Sequence, residues 1–167
     1  MFEIIEQMKN DSNIIGFTAS TFDLIHPGHI AMLEEAASRC HFLVVGLLSD
    51  PTISRPESKN KPIQSMYERY IMLQSIKVVD MIIPFDTEED LETMIKMIKP
   101  HLRFVGEEYK GKKHTAWNIK GVKIIYNKRK HNYGSSQLRD RIYEAENLKR
   151  NPKKKLNSST TTTKIKK

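Results

Sequence analysis

Short, unbroken apolar runs alternate along this chain with longer stretches whose apolar residues recur at helical spacing. Phe42-Leu43-Val44-Val45-Gly46-Leu47-Leu48 is the clearest run, and Ile14-Ile15-Gly16-Phe17 precedes it. A strand apolar on both faces must be covered on both faces, which is the mark of a parallel sheet. Residues 78–83, 101–106 and 121–126 supply three further strands, the first expected to stop at Pro84. Between the strands, Ile30, Leu33, Ala37 and Cys40 form one helical stripe and residues 63–76 a second helix. Leu91, Met94, Ile95 and Ile98 form a third stripe, opened in capping-box style at Thr87 and closed by Pro100. The alternation predicts an α/β fold: a Rossmann-like, doubly wound, mostly parallel five-stranded sheet in a single domain.

The domain is expected over residues 13–146. Before it, Phe2, Ile5 and Met8 predict a short N-terminal helical extension within residues 1–12. After it, residues 149–167 hold 8 of the 28 Lys and Arg and no acid, leaving 20 basic against 20 acidic residues elsewhere. The net charge of +8 therefore belongs to the tail, whose composition predicts disorder. Its functional reading is a weak contact with polyanions; its plain reading is a solubilising terminus. The lone cysteine, Cys40, excludes an internal disulfide and is expected to pack as a small hydrophobe. No apolar run reaches spanning length and the start lacks a basic-then-apolar leader, so a cytoplasmic location is expected.

The chemistry is expected at Thr18-Ala19-Ser20-Thr21-Phe22-Asp23-Leu24-Ile25-His26-Pro27-Gly28-His29, where the first strand hands over to the first main helix. Pro27 suits the first helical position, and Gly28 permits close approach to the backbone. The free N–H groups of that turn and the positive end of the helix dipole form an anion site. His26 and His29, three apart, can share one face of the turn. As metal ligands they lack a third His, Cys or carboxylate at closed-site spacing, so no protein-bound metal is expected.

Residues 20–29 resemble the T-F-D-x-x-H-x-G-H signature of the cytidylyltransferase-like nucleotidyltransferases, with Ser20 where a glycine is usual. Glu68-Arg69-Tyr70 through Val79-Asp80 resembles the segment of the enzymes that activate phosphoethanolamine and phosphocholine, and glycerol-3-phosphate cytidylyltransferase has a related one. Arg129 with Gly134-Ser135-Ser136 resembles the family's R-x-x-G-x-S-T-T loop, with Asn132 and Gly134 departing from it. The resemblance implies transfer of CMP from CTP to a phosphorylated alcohol, with release of pyrophosphate and with Mg²⁺ carried by the triphosphate. It implies that His26, His29 and Arg129 act on the triphosphate. Thr21, Phe22, Gly28, Glu108, Ser135 and Ser136 would line the nucleotide, and Lys59, Lys61 and Arg69 would meet the acceptor's phosphate. It also implies a homodimer. The alternatives are an adenylyltransferase using ATP on a sugar phosphate or FMN, and a non-catalytic nucleotide- or nucleic-acid-binding protein.

Overall fold

The computed structural model describes residues 2–128 and 132–151, and the chain divides into two compact units, Met1–Asn132 and Tyr133–Lys167. The first contains α1 (Phe2–Asn10), β1 (Ile15–Ser20), α2 (Pro27–Ala37), β2 (Phe42–Leu48) and α3 (Met66–Gln74). It continues with β3 (Met81–Phe85), α4 (Glu88–Ile98), β4 (Leu102–Gly106), a 3-10 turn at Glu107–Tyr109 and β5 (Lys123–Asn127). All the strand pairs are parallel, in the spatial order β3-β2-β1-β4-β5. The chain winds outward from β1 to one edge, then returns to lay β4 on the other flank of β1. Ligands of open α/β sheets bind at the strands' carboxyl ends where the winding reverses, here between β1 and β4. The β1–β2 ladder runs from Ile15↔Phe42 to Ser20↔Leu47, whereas β1 and β4 pair only at Gly16↔Leu102 and Phe17↔Arg103. Beyond that pairing, the Thr18 hydroxyl donates to the Phe104 carbonyl at 3.4 Å.

Alternation along the strands feeds two cores. Val44 and Leu48 join Ile5 of α1 and Leu91, Met94, Ile95 and Ile98 of α4 on one face. Leu43, Val45 and Leu47 join Leu33 and Ala36 of α2, Leu73 of α3 and Phe22 on the other. Ile5 is fully buried, so α1 is a packed part of the domain. Cys40 lies over Gly16, where an added Cβ would stand 2.6 Å from its Sγ; burial pushes the thiol up to about 11, which suits packing and not nucleophilic attack.

Three boundaries differ from expectation. β3 contains Pro84 instead of ending before it; the strand is an edge, so the missing N–H costs no ladder bond on its outer side. α3 starts at Met66, not at residue 63, because Ser65 closes a capping box with Glu68. In the second unit, α5 (Ser135–Arg150) is capped by Gly134 with no side-chain bond; it runs four residues past 146, where the domain was expected to end, and buries none of its residues. The tail beyond Asn151, expected to be disordered, lies outside the described residues.

Candidate active site

The turn between β1 and α2 brings His26, His29 and Phe22 together. His26 is the N-cap of α2: its backbone is extended, and its Nδ1 accepts the Gly28 N–H at 3.1 Å, with Pro27 in the first turn. An imidazole that accepts at Nδ1 and is neutral carries its proton on Nε2, so His26 has a donor nitrogen opposite the cap. His29 stacks on it, ring centroids 4.0 Å apart and planes 23° from parallel, and the Phe22 ring lies 5.3 Å from His29. Burial and the neighbouring His26 together hold the His29 pKa down to about 4, against a smaller opposing pull from Asp23. His29 is therefore neutral at pH 7. Its Nδ1 is buried with no hydrogen-bond partner among the described residues.

The turn is held from below. Phe22 and Leu24 have φ of 49° and 52°, the left-handed region that costs a non-glycine residue about 1–2 kcal/mol. Asp23, buried between them, accepts from the backbone N–H groups of Ile63 at 3.1 Å and Gln64 at 2.9 Å. The Gln64 side-chain oxygen accepts the Leu24 N–H at 2.7 Å. Arg69, 1% exposed, donates to the carbonyls of Thr21 at 2.8 Å, Leu48 at 2.7 Å, Ser49 at 2.6 Å and Gln64 at 3.1 Å.

These contacts correct two expectations. Arg69 does not face an acceptor phosphate: its guanidinium is spent on main-chain carbonyls at the ends of β1 and β2. The Phe22 ring cannot line a nucleotide, being fully buried in the core, and acts by backing His29. Gly28 is buried and commits its N–H to His26, while Thr21 commits its carbonyl to Arg69. Asp23 and Gln64 were not anticipated. Asp23 lies inside the quoted motif, so its clamp role was within reach of the sequence; nothing in the sequence marks Gln64.

On the other side of the reversal, Glu108 is exposed and folds back over Gly106, where a Cβ would collide with its carboxylate. The His114 ring meets Tyr109 at 5.8 Å and Tyr126 at 6.3 Å. Trp117 is 46% exposed. Asn127, at the end of β5 and also not anticipated, is buried and donates from Nδ2 to the Met32 carbonyl of α2 at 3.5 Å. Lys59 and Lys61 stand exposed on the 52–62 loop, with Lys61 Nζ 4.0 Å from Asp50. Ser135 and Ser136 open α5 in the second unit, and Arg129 lies outside the described residues. Among the described residues no three His, Cys, Asp or Glu side chains group as a metal site. No described helix is long and apolar enough to cross a membrane.

The chain is similar in sequence and fold to known proteins. Bifunctional protein HldE of Paramagnetospirillum magneticum is 36% identical over 107 residues, covering 64% of this chain and 22% of its own length. Bifunctional protein HldE of Aliarcobacter butzleri is 34% identical over 132 residues, covering 74% of this chain and 28% of its own. The chain thus spans about a quarter of the length of the curated relatives it matches. The crystal structure of the lipopolysaccharide core biosynthesis protein from Thermoplasma volcanium is 29% identical with a TM-score of 0.56, covering 73% of this chain and 99% of that one. Pantothenate synthetase from Thermus thermophilus, at 13% identity and a TM-score of 0.53 over 77% of this chain and 61% of its own, shares the fold. Residues 17–166 match the family profile described as cytidylyltransferase-like, and the chain belongs to that family.

Proposed function

We propose that this chain transfers a nucleoside monophosphate from a nucleoside triphosphate to a phosphorylated small molecule. An oxygen of the acceptor's phosphate attacks the α-phosphorus, the bond from that phosphorus to the bridging oxygen breaks, and pyrophosphate leaves. The nucleophile is already an anion, so the protein need only align the groups and stabilise charge on the transferring phosphoryl. The observation that carries the proposal is the stacked pair His26 and His29 on the first turn of α2, beside the reversal of the sheet. In the proposed complex the triphosphate lies against this helix start, and both imidazoles donate to it, His29 as a neutral group. Glu108 is proposed to meet the nucleoside, and Lys59 and Lys61 the acceptor phosphate; for Arg129, Ser135 and Ser136 the family resemblance alone supports a role toward the triphosphate. Mg²⁺ would enter with the triphosphate and supply charge neutralisation.

The choice of substrates turns on the block from Glu68 to Asp80, which favoured CTP and an amino-alcohol phosphate. Three of its polar side chains have architectural partners: Glu68 completes the α3 cap, Arg69 holds carbonyls, and Asp80 accepts the Leu43 N–H at 2.7 Å. These three therefore serve the fold, which weakens the block as a pointer to an amino alcohol. The 29% identical protein of lipopolysaccharide core biosynthesis supports a phosphorylated sugar as the other acceptor class. CTP remains the first nucleotide to test and ATP the second.

The test is a matrix of the four triphosphates against phosphoethanolamine, phosphocholine, glycerol 3-phosphate, a panel of sugar phosphates and FMN, scored by pyrophosphate release. One nucleotide with one acceptor class, each required, is the expected result. Release that ignores the acceptor, or none from any pair, would overturn the proposal.

A further inference from the structure

We propose that Glu88 links the two loops beside the strand ends, so that the loop with the acceptor contacts and the segment with the nucleotide contact order together; this rests on the transferase reading above. Glu88 is the first residue of α4. One carboxylate oxygen lies 3.0 Å from Arg55 of the 52–62 loop, and the other accepts the hydroxyl of Thr115.

Each partner is tied onward. The Arg55 carbonyl accepts the N–H groups of Ser58 at 3.3 Å and Lys59 at 3.1 Å, so the turn that presents Lys59 is built on Arg55. The Arg55 Nε is buried with no partner among the described residues, which leaves Glu88 as the carboxylate that compensates this guanidinium. Across the carboxylate, the Thr115 carbonyl accepts from Arg103, a buried arginine of β4. Burial brings Arg103 down to about 10, and Glu88 is the larger of the two neighbours opposing that fall. His114, next to Thr115, packs edge-on to Tyr109, the last residue of the 3-10 turn that contains Glu108.

Contacts therefore run without a break from Lys59 through Arg55, Glu88, Thr115, His114 and Tyr109 to Glu108. The cap of α4 does not need Glu88, because Asp90 closes the capping box with Thr87 and Glu89 also stands in the first turn. The Arg55–Glu88 pair is about a third exposed on both sides, which makes it weak enough to open and re-form.

Hydrogen–deuterium exchange on the full chain tests the linkage without substrate. Thr115→Val is expected to speed exchange in residues 52–59, Arg55→Met in residues 107–117, and Glu88→Gln in both, by about two- to fivefold, the limit set by the part-exposed Arg55–Glu88 pair. Glu89→Gln, which removes a charge from the same helix turn, is expected to change neither segment. Effects confined to each variant's own segment would overturn the linkage, whatever reaction the protein performs. A second arm adds CTP with Mg²⁺. Protection of both segments in the wild type, and of 107–117 alone in Glu88→Gln, supports Glu88 as a positioning residue. Equal protection of 52–59 in both proteins overturns that role. If CTP protects neither segment in the wild type, the arm is run with ATP; protection by neither nucleotide overturns the nucleotide reading, and the substrate-free arm alone then decides the linkage.

Discussion

The two histidines of the α2 turn differ in what they still have to offer. His26 has given one nitrogen to the helix cap, whereas His29 is buried against Phe22 and kept neutral. Replacing either by alanine removes a donor aimed at developing charge, and kcat for pyrophosphate release is expected to fall about 10²-fold or more. Near-normal turnover in both variants would reject their assignment. Burial of His29 also has a signature in stability. Its pKa is about 4 in the folded chain and near 6.5 when free, so between these values the unfolded chain binds more protons. The contribution is complete above pH 6.5 and is lost as pH falls toward 4, by about 3 kcal/mol at the limit. Urea midpoints at pH 7.5 and 4.5, compared between the wild type and His29→Gln, are expected to show the wild type losing more stability at the lower pH. An identical loss in both would contradict the burial argument.

At the scale of elements, the β1–α2 turn is set by a side chain on α3. Arg69 holds four carbonyls while Asp23 and Gln64 bind the turn from the same side. Arg69→Met leaves those carbonyls buried and short of donors, and is expected to cost about 3–5 kcal/mol. Denaturant unfolding checks this, and a cost below about 1 kcal/mol would mean that the arginine is no strut. The same region shows where sequence reading stops. Capping residues and ligand contacts draw on the same side chains, so Glu68, Arg69 and Asp80 could be placed but their job could not be read. Pro84 argued for a strand end because its edge position depends on the order of strands, which no local pattern encodes. The histidine turn was legible because an apolar run, a proline at the first helical position and two histidines three apart all describe one local geometry.

For the whole molecule, parallel apolar runs fixed the class of fold, and the two-faced alternation of β2 foretold two cores. The strand order, which puts the reversal between β1 and β4 and so places the site, comes from long-range packing. Long-range contacts also set the division at Tyr133 and the network around Glu88, where a carboxylate that looked like part of a helix cap meets residues 33 positions before it and 27 after it. The central claim is that a triphosphate binds the first turn of α2 through its two imidazoles. A crystal structure of the chain with CTP and Mg²⁺ tests it most directly. The expected result is phosphate oxygens within hydrogen-bond distance of a nitrogen of both His26 and His29; a nucleotide whose phosphates lie away from that turn, with neither ring in contact, would contradict it.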